Sequence, residues 1–284
     1  MIARRGQPLT EYRAKHRKLA FYEFPGQRPR EFFLYRPDSE VADAPLVVSV
    51  HGIARNATAH AYRLMEEAER CGVSVLAPLF SKEAYGQYQQ LQDAKTEARS
   101  DHALLDILDA AARLTSADVS RILLFGYSGG AQFAHRFAMA HPQRVASAVV
   151  AAAGWYTFPT MQARYPYGLD TGGSALRFDI DRLLDVRYHV MVGALDTVRD
   201  SALRSSKKLD RMQGRTRLER AMSWTNFMRG LACEEQLRAP DIPIVLPSVG
   251  HSFVDAVERA ALPRRVFDCF AQDVDLAFFE TPAN

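Results

Sequence analysis

The sequence predicts an α/β protein with a mostly parallel sheet and helices on both faces. Three observations carry this. Short apolar runs of strand length alternate with segments of helical period. One run, Leu46–Val50, is apolar almost throughout, as expected of a strand covered on both faces. Gly126-Tyr127-Ser128-Gly129-Gly130 joins the end of one such run to the start of a helical segment.

In chain order, the basic residues Arg4, Arg5, Arg13, Lys15, Arg17 and Lys18 read as a solvated tail over residues 1–18. Leu19–Phe24 and Glu31–Tyr35 are strand candidates around a Pro25-Gly26 turn, and this opening reads as antiparallel. The Leu46–Val50 strand leads into a helix over Ala59–Arg70, closed by Cys71-Gly72. Val73–Leu76 is the next strand. Glu97–Leu114 reads as a long amphipathic helix with Leu104, Leu105, Leu108, Ala111 and Ala112 on one stripe. Ile122–Phe125 is a strand, Gly129–Ala140 a helix stopped before Pro142, and Val145–Val150 a strand.

Residues 155–187 show no period and many turn residues and aromatics, and read as an excursion over the sheet edge. His189–Val192 is a strand, followed by a charged helical stretch over 199–220. Ile242–Leu246 is the last strand. Pro243 inside it requires an edge position, because proline cannot donate to a ladder. Phe253–Ala261 and Arg264–Gln272 close the chain as helices. With no internal repeat or low-complexity linker, residues 1–284 read as a single domain.

Composition narrows the functions. The chain is 48% hydrophobic and 24% charged, a globular balance. A net charge of +3 is too small to argue for nucleic acid or an anionic membrane as partner. No run approaches the ~20 apolar residues of a membrane helix, and the first 18 residues lack the apolar core of a secretion signal. Cys71, Cys233 and Cys269 have no metal-ligand spacing and read as reduced core thiols, so the expected setting is the cytoplasm.

The Gly126–Gly130 pattern is G-x-S-x-G. In that motif a serine sits on a tight strand-to-helix turn, and side chains two positions either side would clash. The helix behind it aims backbone N–H groups and the positive end of its dipole at the charge formed in acyl transfer. Serine needs a base. Of the eight histidines, only His189 and His251 follow Ser128 beyond its own helix. His251 comes directly after the last strand, where ligands reach an open α/β sheet, whereas His189 begins a strand and belongs at the other end.

The acid should follow the strand between nucleophile and base. Asp196 ends that strand in Gly193-Ala194-Leu195-Asp196-Thr197, with Asp200 as its rival. The oxyanion is expected to meet the N–H groups of Gly129 and Ile53. His51 reads as a support for the Gly52 turn. Tyr127, Trp155 and Tyr156 are candidates to line an acyl pocket.

His51-Gly52 followed by Asn56, the serine turn, Gly193–Asp196 and Gly250-His251 together resemble polyhydroxybutyrate depolymerase-like and feruloyl-esterase-like hydrolases of the α/β-hydrolase fold. The resemblance covers about residues 19–270. It implies ester cleavage through an acyl-serine intermediate, with no cofactor and no metal. Those hydrolases commonly carry cysteine where this chain has Ile53. The secreted depolymerases among them have a signal peptide and often disulfides or a polymer-binding domain. These departures favour a small, soluble ester as the partner. A peptidase, an acyltransferase, a polyhydroxyalkanoate depolymerase and a non-catalytic binding protein stay open as alternatives.

Overall fold

The computed structural model describes residues 10–13, 19–24 and 28–274. Nine strands form one sheet: β1 (Thr10–Arg13), β2 (Leu19–Phe24), β3 (Arg30–Tyr35), β4 (Pro45–Val50), β5 (Val75–Leu79), β6 (Asp118–Tyr127), β7 (Val145–Ala151), β8 (Arg187–Gly193) and β9 (Ile244–Leu246). Their order is β1-β2-β3-β5-β4-β6-β7-β8-β9. The first three strands and the β3–β5 pair are antiparallel, and every later pair is parallel. Part of the expected basic tail is therefore sheet, since Thr10–Arg13 pairs with β2. The Pro25-Gly26 turn lies outside the described residues.

The central strands alternate between two cores. From β6, Ile122 and Leu124 join one core, and Leu123, Phe125 and Tyr127 the other. Helices α2 (Ser100–Ala111), α3 (Gly129–Ala140) and α5 (Arg217–Glu234) cover the first face. Helices α1 (Ala57–Cys71), α6 (Phe253–Ala260) and α7 (Leu262–Ala271) cover the second. Asn56 caps α1 through its side chain, and Gly72 ends it in the left-handed region at φ 66°. The short helix α4 (Lys207–Gln213) completes the set.

Several expected boundaries shift. The second strand of the parallel region runs to Leu79, not Leu76; β4 pairs with it only at Val75 and Leu76, so Pro78 interrupts no parallel ladder. The Glu97–Leu114 helix is shorter, because Glu97 has φ 56° and Arg99 bridges back to Gln92 before the first turn. The charged stretch 199–220 is a loop and two helices. Gly214, at φ 106°, ends α4, and Thr216 caps α5, which then runs on to Glu234.

Pro243 falls just before β9, which is the edge expected for it. Cys71 and Cys269 are buried, but Cys233 is exposed at the end of α5 rather than in the core. No described helix is long and apolar enough to cross a membrane.

Candidate active site

The parallel strands all point their carboxyl ends to one edge, and the loops beyond β4, β6, β8 and β9 converge there. Ser128 follows β6 directly. Its backbone sits at φ 56°, ψ −112°, a region non-glycine residues avoid, so the turn stores strain. The flanking glycines are required sterically. A Cβ on Gly126 would lie 2.2 Å from the Gly130 oxygen, and one on Gly130 would lie 2.0 Å from the Val50 oxygen. The turn is thereby pressed against β4, and Ser128 N–H donates to Ala151 O at 2.8 Å.

His251 follows β9, and Asp196 follows β8. Ser128 Oγ is 2.9 Å from His251 Nε2, and His251 Nδ1 is 2.9 Å from Asp196 Oδ2. Asp196 is 2% exposed and His251 24%, so one end of the line is dry and the other open to a substrate. The second oxygen of Asp196 accepts from Arg217, a residue that sequence reasoning missed. Asp200 does not reach His251 in place of Asp196; it pairs with the same Arg217.

Gly52 lies against the serine: a Cβ there would be 3.6 Å from Ser128 Cβ. A Cβ on Gly129 would stand 3.1 Å from Ile53 N, so the two expected oxyanion amides are neighbours. Neither donates to an acceptor among the described residues. His51 is wholly buried and braces this loop. Nδ1 bonds Gly52 O at 2.8 Å, and Nε2 takes the Phe80 N–H at 3.0 Å. Burial pulls its pKa down to about 4, which keeps the ring neutral, as an acceptor requires. Tyr88 adds a bond from its hydroxyl to His51 O.

His189 sits at the far end of β8. It pairs with Asp273 at 2.6 Å, and Ser147 donates to the same carboxylate. The hydroxyl there meets the acid and not the histidine, so this is an ionic clasp.

The three aromatic candidates for an acyl pocket are buried. Tyr127, Trp155 and Tyr156 are 3%, 4% and 0% exposed. Tyr127 packs between Phe253 and His251. Tyr156 stacks on Trp224. Trp155 is held over the buried Arg136 guanidinium at 4.2 Å. The apolar faces of Trp155 and Tyr156 are spent on packing, because the excursion must cover α3, which is buried almost all round. The large apolar side chains exposed on the site's own loops are Ile53, Leu195 and Val198. Among the described residues no cluster of His, Cys, Asp and Glu could hold a metal.

Strand order, the strained serine turn and the loop placement define the α/β-hydrolase fold. Solved structures share it. Poly(aspartic acid) hydrolase-1 from Sphingomonas sp. KT-1 matches at TM-score 0.75 and 24% identity, over 88% of this chain and 98% of that one. The poly(3-hydroxybutyrate) depolymerase LpqC from Bordetella parapertussis matches at TM-score 0.68 and 24% identity, over 92% and 94%. An S-formylglutathione hydrolase from Agrobacterium tumefaciens matches at TM-score 0.59 and 15% identity, over 93% and 98%. No protein-family profile matches the sequence, and no curated protein is similar to it.

Proposed function

We propose that the protein is a serine hydrolase that cleaves carboxylic esters through an acyl-serine intermediate, with Ser128, His251 and Asp196 as the triad. The hydrogen-bonded line from Ser128 Oγ through His251 to Asp196, with both steps at 2.9 Å, carries this reading. His251 Nε2 takes the Ser128 proton as Oγ attacks the ester carbon. Asp196 accepts the Nδ1–H and stabilises the imidazolium without taking the proton. The oxyanion is met by the neighbouring Ile53 and Gly129 amides, which donate to no acceptor among the described residues. Collapse expels the alcohol, which leaves with the proton from His251. Water then attacks the acyl-serine by the same route and frees the acid.

The exposed Ile53, Leu195 and Val198 supply an apolar rim suited to the carbon chain of a small ester. The test is turnover of p-nitrophenyl butyrate. Ser128→Ala should retain less than about a hundredth of it with its circular dichroism unchanged, since only binding and oxyanion contacts remain. A variant retaining more than a tenth would put the nucleophile elsewhere.

One observation favours a second reading, an acidic substrate such as the one named for poly(aspartic acid) hydrolase-1. Arg204 lies over Trp155 and Tyr167 at 5.2 and 5.5 Å, and Lys208 over Tyr167 at 5.6 Å. Neither has a carboxylate partner among the described residues. The discriminating comparison is mono-p-nitrophenyl succinate against p-nitrophenyl butyrate. A tenfold preference for the succinate in kcat/KM, lost in Arg204→Gln, supports the acidic reading; equal rates support the neutral one.

A further inference from the structure

Asp196 spends one oxygen on His251 and must satisfy the other inside the protein. That oxygen, Oδ1, accepts from Arg217 Nη1 at 3.2 Å. Arg217 opens α5 and is as deeply buried as Asp196, each 2% exposed. A buried guanidinium needs more than one shared carboxylate oxygen. Asp200 adds two more acceptors: its Oδ2 and Oδ1 accept from Arg217 Nη1 and Nη2 at 2.9 and 3.1 Å. Asp200 stands at the rim, 39% exposed, and also accepts from the Leu203 N–H. The Arg217 side chain lowers the pKa of the Asp200 carboxyl.

We propose that Arg217 and Asp200 are positioning residues for the triad: Arg217 fixes the Asp196 carboxylate and weakens its hold on the His251 proton, and Asp200 limits that weakening. The proposal rests on the triad reading above. The reasoning is one of charge. As built, the imidazole faces a unit of formal charge −1, from two carboxylates and one guanidinium. Without the Asp200 charge the unit is neutral, and protonated His251 loses support. Without the Arg217 charge the unit is −2, and protonated His251 gains support. Opposite charge at this range favours the ionised partner, and burial strengthens the effect.

Tyr127 from β6 also faces the ring, 6.0 Å away between ring centroids, and Asp255 on α6 is close enough to act on Tyr127. Burial, then Asp196 and Asp255, push the Tyr127 hydroxyl up, so it stays neutral in the working range. Both are unchanged in the variants below.

The experiment is the pH profile of kcat/KM for p-nitrophenyl butyrate, from pH 5 to 9, with wild type, Asp200→Asn, Arg217→Met and Arg217→Lys. The midpoint of the acid limb should fall by roughly half a unit in Asp200→Asn and rise by a similar amount in Arg217→Met. Arg217→Lys should return it towards wild type. In Arg217→Met, kcat should fall while KM holds. A purely structural role lowers the rate without moving the limb in opposite directions. Shifts of the same sign, or none, overturn the proposal. If Arg217→Met does not fold by circular dichroism, Asp200→Asn decides alone: a downward shift supports the proposal and an unmoved limb overturns it. A wild type without a histidine-like limb, or an active Ser128→Ala, would instead sink the triad reading, and this proposal with it.

Discussion

Each residue of the proposed triad is held by an atom that takes no part in bond making. Ser128 is fixed through its backbone, His251 through Nδ1, and Asp196 through Oδ1. Such fixing keeps reacting atoms in line, where small misplacements cost large factors in rate. Asp196→Asn should therefore lower kcat by up to about 10⁴, because the amide favours the wrong imidazole tautomer. Asp200→Asn should cost only a few-fold at pH 8, since it leaves the histidine bond intact. A larger loss for Asp200 than for Asp196 would reverse the assignment. The three residues that the structure brings into one hydrogen-bonded line were all legible in the sequence. The glycine pattern marks Ser128, and strand ends mark Asp196 and His251. Arg217 was not legible. It lies 21 residues from Asp196 in a stretch that reads only as charged and helical. Arginine is buried only when it finds partners, and those partners are set by tertiary structure.

At the scale of the element, the turn from β6 into α3 does the most. Its closeness to β4 leaves no room for a methyl group on Gly130. Gly130→Ala should lower unfolding free energy by about 1–3 kcal/mol, as overpacking does, and urea unfolding measures it. A neutral effect would mean the turn yields more readily than its contacts imply. At the opposite edge, the turn after α7 is clasped to β7 and β8 through Asp273. Burial pulls the His189 pKa down, but hydrogen bonds to Asp273 and Cys269 and their charges outweigh it and raise it to about 10.

A pKa raised in the folded state stabilises fully below the unfolded value near 6.5. The contribution is lost as pH climbs to about 10. Wild type should therefore lose stability to urea from pH 7 to 10 more steeply than His189→Gln. Parallel curves would show that the clasp adds nothing. Element type was readable where the period was strong, as in α1 and β6. Boundaries failed at Glu97 and Gly214, where left-handed backbone breaks a pattern that the residue types alone continue.

For the molecule as a whole, the parallel sheet brings to one edge residues from positions 53 to 251, and this convergence is what the alternating pattern foretold. The covering of the site was less legible. Trp155 and Tyr156 are pocket-lining candidates in the sequence and buried side chains in the structure, because the same apolar faces serve a pocket or a core and the sequence does not choose. With Ile53, Leu195 and Val198 as the exposed rim, short esters should be preferred. Expected kcat/KM is highest for p-nitrophenyl acetate or butyrate, with little clearing of a polyhydroxybutyrate film. A long-chain ester favoured over butyrate by about tenfold, roughly 1.4 kcal/mol of transition-state binding, would overturn the small-ester reading and leave the triad untouched.

The central claim is that Ser128 is an activated nucleophile, and covalent labelling tests it most directly. Wild type should react with a fluorophosphonate in one-to-one stoichiometry, and mass spectrometry should place the adduct on Ser128. Ser128→Ala should take up none, and His251→Ala should label far more slowly. An adduct on another residue, or equal labelling of the Ser128→Ala variant, would contradict the account.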